Sequence, residues 1–264
     1  MEVVEFGAGR PIVFVHGWRL SGSVEAADIE PAFESVAGWR RIYPDLPGMG
    51  RSGPDPKIED LDGYLDALVE LVERLVPSGG FAVGGTSAGA ALARGIAHTL
   101  SDRVRGVLLR VPMLDPTRRH RLGSDAERDA QYDSEAREPW MPSAFNEEAD
   151  EKRAELWEPA RRIAAAVGFA ERIRNDPSRY VLHGDFGATL TVPALIIGGR
   201  QDARVGYDDA ISVLPQYPRA TLAVLDRASH AMPTGDPELF HALLRDWLRR
   251  MEEVWINGAA AEGV

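Results

Sequence analysis

A set of short apolar runs, nearly all continuous rather than alternating, constrains this chain most. They are Ile12 to Val15, Arg41 to Tyr43, Phe81 to Val83, Val104 to Val111, Ala194 to Ile197 and Thr221 to Leu225. A strand with one wet face alternates apolar and polar residues, whereas a strand covered by helices on both faces is apolar throughout. Helical stretches lie between the runs. Leu61, Leu65, Leu68, Leu71, Val72 and Leu75 form a stripe at helical spacing, and Ala88 to Leu100 is rich in alanine. Asp208 to Leu214 is a shorter candidate. Asp236-Pro237 reads as an N-cap followed by proline, opening a last helix that carries Phe240, Leu243, Leu244 and Trp247. The alternation predicts an α/β fold with a mostly parallel, doubly wound sheet.

One segment breaks the alternation. From Met113 to Leu190 the chain becomes rich in arginine and acids, with Trp140, Phe145, Trp157 and Phe169 scattered through it. Asn146 to Ala166 reads as one longer amphipathic helix, and no parallel strand is legible there. The expected organisation is a core of residues 1–112 and 191–264 with a helical insertion at 113–190. With 264 residues, one such core and its insertion fill the chain. The tail from Ile256 to Val264 is expected to fray.

Composition excludes several chemistries. There are no cysteines, so disulfides, thiolate metal sites and a cysteine nucleophile are ruled out. A formal net charge of −11 argues against nucleic acid and anionic membrane as partners. The start, Met-Glu-Val-Val-Glu, has neither a basic n-region nor an apolar core, and no run reaches membrane-spanning length, so a cytoplasmic location is the expectation.

Gly85-Thr86-Ser87-Ala88-Gly89 matches G-x-S-x-G between an apolar strand and a helix. The pattern also fits an ordinary helix cap. A nucleophile in this position must sit on a sharp, strained turn, where side chains two residues either side would collide with strand or helix. A serine hydroxyl also needs a base, and the base an orienting acid. The histidines are 16, 98, 120, 183, 230 and 241. His230 is placed best, on a loop just after Thr221 to Leu225, where crevices open at strand carboxyl ends. His98 and His241 fall within helices, and His120 and His183 within the insertion. Asp202 directly follows Ala194 to Ile197 and is the expected acid, with Asp115 as the fallback and Asp208, Asp209 and Asp226 as weaker candidates. The oxyanion donors are expected to be the backbone N–H groups of Ala88 and of Trp18, in the loop after Ile12 to Val15. His16 is expected to be structural, its ring bonding loop backbone.

Together these segments resemble the α/β-hydrolase superfamily. The carriers are Phe14-Val15-His16-Gly17-Trp18, Pro44 to Ser52, Gly85 to Gly89, Gly198-Gly199-Arg200-Gln201-Asp202 and Ala228-Ser229-His230. The order Ser87, Asp202, His230 is that family's order. The resemblance implies a helical cap formed by the insertion, and a structural turn at Pro44 to Ser52 beneath the site. Members of that family begin with an antiparallel hairpin before the His-Gly strand, but the residues ahead of Ile12 leave room for one short strand, Val3 to Phe6, so the first edge strand is expected to be missing. Relatives with aspartate or cysteine at the elbow centre include dehalogenases, epoxide hydrolases and dienelactone hydrolases. A serine there points to esterases, lactonases, carbon–carbon bond hydrolases, proline-specific aminopeptidases and cofactor-free perhydrolases.

The reading is a two-step acyl transfer on a small to medium carboxylic ester or lactone, requiring no metal or organic cofactor. Activity is expected to rise as His230 loses its proton. Trp140, Trp157 and Met232 are the substrate-lining candidates, although the aromatics also suit the core of a cap. Arg118, Arg119 and Arg121 suit a carboxylate or a solvated face. A carbon–carbon bond hydrolase of a ring-cleavage product would use the same three residues. A ligand-binding, receptor-like member with little turnover is the alternative outside enzymes. The partner is a small molecule in every case, and the oligomeric state stays open.

Overall fold

The computed structural model describes residues 1–116, 164–202, 204–233 and 236–262. The strands are β1 (Val3–Phe6), β2 (Arg10–Val15), β3 (Trp39–Pro44), β4 (Phe81–Thr86), β5 (Val104–Arg110), β6 (Ala194–Gly199) and β7 (Ala220–Leu225). They form one seven-stranded sheet in the order β1-β3-β2-β4-β5-β6-β7. Only β1 is antiparallel to its neighbour, β3. β1 is one edge of the sheet, and among the described residues no strand lies outside it. Every residue of β4 and β6 is buried, which is why these runs are apolar without alternation.

The helices are α1 (Gly22–Ile29), α2 (Leu61–Leu75), α3 (Ala88–Thr99), α4 (Ala164–Arg174), α5 (Asp208–Ser212) and α6 (Pro237–Glu262). The leucine stripe of α2 faces inward: Leu61, Leu65, Leu68, Leu71 and Val72 are buried, and α2 packs on α3. Asp60 caps α2 by accepting from the Gly63 N–H at 2.9 Å. Asp236 caps α6, accepting from the Leu239 N–H at 3.1 Å. The helix continues through Glu262, past the point where fraying was expected. α1 has no counterpart in the expected elements. Its Ser21 N-cap accepts from the Val24 N–H at 3.3 Å, and its buried face includes Gly22, Glu25 and Asp28. A helix that turns acids inward carries no apolar stripe to read.

Sheet order reverses beside β2: the chain crosses from β2 to β3 on one side, then to β4 on the other. At such a switch point the loops leave in opposite directions and open a crevice at the strand carboxyl ends. The loop after β2 and the turn after β4 border that crevice. Between β5 and β6 the described residues hold α4 and irregular chain, and no strand. Phe169 of α4 stands against Gly48 and lies 6.3 Å from the Tyr64 ring. Glu171 reaches Arg19 at 3.5 Å, and the Leu61 N–H donates to the Arg179 carbonyl at 2.8 Å. This part of the chain thus rests on the loops after β2 and β3. Trp140, Trp157, Phe145, His120, Arg118, Arg119 and Arg121 lie outside the described residues, as does most of Asn146 to Ala166. Among the described residues no helix is long and apolar enough to cross a membrane.

Candidate active site

β4 ends in the turn that holds Ser87. Its φ of 57° places a non-glycine residue in the left-handed region, a strained conformation that the surrounding chain must enforce. The enforcement is steric. A Cβ on Gly85 would run into the Gly89 carbonyl, and one on Gly89 into the carbonyls of Val15 and His16. Strand, turn and helix therefore approach more closely than any side chain allows. The Ser87 N–H donates to the Arg110 carbonyl at 2.9 Å, and its own carbonyl accepts from Met113 N–H at 3.3 Å. The turn is thus tied to the end of β5.

His230 lies on the loop after β7. Its Nε2 is 3.1 Å from Ser87 Oγ, and its Nδ1 is 2.8 Å from Asp202 Oδ2. Asp202 follows β6, and its other oxygen accepts from the Arg204 and Val205 N–H groups at 2.9 and 3.1 Å. A carboxylate held this way accepts from Nδ1–H, which fixes the tautomer and leaves Nε2 as the acceptor for the serine hydroxyl. Ser87 and Asp202 are buried at 8% and 6% exposure, while the His230 side chain keeps 17%, so the imidazole is the part open to the crevice.

The loop after β2 runs beside the serine: a Cβ on Gly17 would sit 3.7 Å from Ser87 Cβ. Trp18 is clamped edge-on between Tyr64 and Tyr180, with ring centroids at 5.2 and 4.8 Å. Ala88 opens α3, so its N–H belongs to the first turn, which lacks intrahelical acceptors. His16 is buried and bridges backbone. Its Nδ1–H donates to the Gly17 carbonyl at 2.8 Å, and its Nε2 accepts from Leu46 N–H at 2.9 Å. Burial holds its pKa below the usual histidine value, against the opposing pull of the Gly17 carbonyl and Asp45. Asp45 anchors the turn from Pro44 to Ser52, accepting from Gly22 and Arg51 N–H at 2.6 and 2.8 Å.

The remaining candidates go elsewhere. His98 is packed edge-on to Phe186 and Tyr217, and His241 bonds the Asp28 carbonyl at 2.9 Å. His183 pairs with Asp62 at 2.6 Å on the surface. Asp209 is buried and accepts from the Leu114 and Asp115 N–H groups, so it pins the chain leaving β5. Met232 is buried, and its carbonyl accepts from Arg110 at 3.0 Å. Among the described residues no three His, Cys, Asp or Glu side chains gather as a metal-ligand set.

Sequence reasoning missed Arg110, Glu25 and Asp28. Arg110 ends an apolar strand and is 1% exposed. Its Nη2 donates to Glu25 at 2.7 Å, its Nη1 to Asp28 at 2.8 Å, and its Nε to Thr86 Oγ1 at 2.6 Å. The Thr86 hydroxyl in turn donates to Glu25 at 2.7 Å. The one readable signal is an arginine closing the run Val107-Leu108-Leu109, where a buried cation demands buried acids.

Comparison with known proteins places this geometry in context. A family model described as the alpha/beta hydrolase family matches residues 12–243. A non-heme chloroperoxidase of Kitasatospora aureofaciens is 26% identical, over 93% of this chain and 94% of its own. A 2-hydroxy-6-oxononadienedioate/2-hydroxy-6-oxononatrienedioate hydrolase of Pseudomonas putida is 27% identical, over 90% of this chain and 87% of its own. A thermophilic esterase from Thermogutta terrifontis shares the fold with a TM-score of 0.66 at 23% identity, over 95% of this chain and 93% of that one.

Proposed function

Since the chain belongs to the alpha/beta hydrolase family, we propose that it is a serine hydrolase cleaving small to medium carboxylic esters or lactones through an acyl-enzyme on Ser87. The observation that carries this reading is His230, bonded to Ser87 on one nitrogen and to Asp202 on the other. Ser87 Oγ bonds to the substrate carbonyl carbon while its proton passes to His230 Nε2. The N–H groups of Trp18 and Ala88 receive the oxyanion, each worth roughly 3 kcal/mol. Asp202 stabilises the imidazolium. Collapse of the intermediate breaks the carbon–oxygen bond to the leaving alcohol, which takes the proton from His230. Water then repeats the sequence against the acyl-enzyme and releases the acid. Residues 113–190 serve as the cap over this crevice, in keeping with the contacts of Phe169, Glu171 and Tyr180 on the surrounding loops.

Intact mass after incubation with a fluorophosphonate tests the reading. A single adduct is expected on the wild type and none on Ser87→Ala. A folded wild type that stays unmodified overturns it and favours a binding module, which would still show a ligand-dependent melting shift. Replacing Asp202 with Asn is expected to lower kcat by about 10³- to 10⁴-fold, because the imidazole then adopts the wrong tautomer. A second reading, carbon–carbon bond hydrolysis, is supported by the likeness to the Pseudomonas putida hydrolase. Turnover of a vinylogous 1,5-diketone acid in preference to simple esters and lactones would establish it.

A further inference from the structure

Four segments that build the site meet at one buried side chain. Arg110 closes β5. Its backbone carbonyl accepts from the Ser87 N–H, and its Nε donates to the hydroxyl oxygen of Thr86, the residue before the serine. Its Nη1 holds the Met232 carbonyl, two residues beyond His230. Glu25 and Asp28 reach it from α1, the helix that follows the Trp18 loop. The Phe240 ring of α6 covers the guanidinium, with its centre 5.5 Å away.

Such a cluster is a poor device for stability alone. Desolvating an arginine and two carboxylates is costly, and apolar replacements of similar volume are often neutral or better. Burial raises the Glu25 pKa, and Arg110 works against that rise. Burial also opposes the Arg110 charge, but Glu25 and Asp28 more than offset it, so the guanidinium stays protonated. What the cluster supplies is geometry. A planar fork with fixed N–H directions bonds the end of β4, helix α1 and the loop after β7 at set distances, which a single flexible ammonium does not.

We propose that Arg110 is a positioning residue: through the Thr86 hydroxyl and the Met232 carbonyl it sets the spacing of Ser87 and His230, with Glu25 and Asp28 orienting its guanidinium. The proposal rests on the reading of Ser87 and His230 as nucleophile and base. Reacting groups displaced by about 1 Å lose on the order of 100-fold in rate, so small shifts of either loop are visible in kinetics.

The test compares Thr86→Val, Thr86→Ser and Arg110→Lys with the wild type. Thr86→Val keeps the shape and removes the hydroxyl, and Thr86→Ser restores it. Arg110→Lys keeps the charge and removes the fork. Two readouts are taken: the second-order rate of fluorophosphonate labelling, and the ring nitrogen chemical shifts of His230, which need no turnover. Thr86→Val and Arg110→Lys are expected to label about 10- to 100-fold more slowly, with the His230 Nε2 shift moved toward that of an unbonded acceptor. Thr86→Ser is expected to match the wild type. If folded Thr86→Val keeps the wild-type rate and nitrogen shifts while only its melting temperature falls, the cluster is packing and the proposal is overturned. That variant decides the matter if Arg110→Lys does not fold. If the wild type forms no adduct but the His230 shifts still move in the variants, the nucleophile reading fails and the positioning role stands.

Discussion

The residues of the candidate site differ sharply in how openly the sequence displays them. Ser87, Asp202 and His230 each follow an apolar strand, and Ser87 is flanked by small residues because of local crowding, so their placement was legible. His16 was legible as structural, since it ends a strand in His-Gly. Arg110, Glu25 and Asp28 were not, because their meaning lies in contacts separated by 82 and 85 residues. Crowding at the elbow makes a firm prediction. Gly89→Ala sets a methyl against two backbone carbonyls, which cannot swing aside as side chains do. It is expected to cost roughly 1–3 kcal/mol, the usual range for overpacking. It should also abolish fluorophosphonate labelling at temperatures where urea titration still reports a folded chain.

At the scale of elements, the strands predicted from apolar runs all formed, with ends moved by a few residues. β4 ran on through Gly84 to Thr86, because β2 and β5 pair with it there on either side. α2 and α3 were equally readable, one from its leucine stripe and one from its alanines. α1 escaped because it is short and buries Glu25 and Asp28 alongside Val24, Ala26 and Ile29, so no clean apolar stripe marks it. Capping offers an independent check on α2. Asp60→Ala removes the acceptor for the Gly63 N–H and is expected to cost about 1 kcal/mol in urea unfolding, without changing the labelling rate.

For the molecule as a whole, three histidines contribute stability that acid removes. Burial lowers the pKa of His98 from 6.5 to about 4, helped by Arg94 and opposed by Asp185. Burial likewise lowers His16 and His241. In the unfolded chain these groups take up protons near pH 6.5, which the folded protein refuses. Stability is therefore greatest above that value and falls as pH drops from about 6.5 toward 4. Melting temperature measured across this interval should decline, and His98→Gln should flatten the decline. A slope unchanged in that variant would remove His98 from the account.

The three side chains of the candidate site also stand far apart along the chain, at 87, 202 and 230, beyond the ends of β4, β6 and β7. A ribosome makes them in that order. A nascent chain acquires its serine and the glycines around it early, then must extend past the whole of 113–190 before acid and base exist. Until β6 docks on β5 and β7 on β6, Ser87 lacks the His230 nitrogen that it meets in the folded sheet. On the proposed function, synthesis thus withholds reactivity until the sheet is complete, and the first phosphonate a growing chain captures would mark the moment its last strand has been laid down.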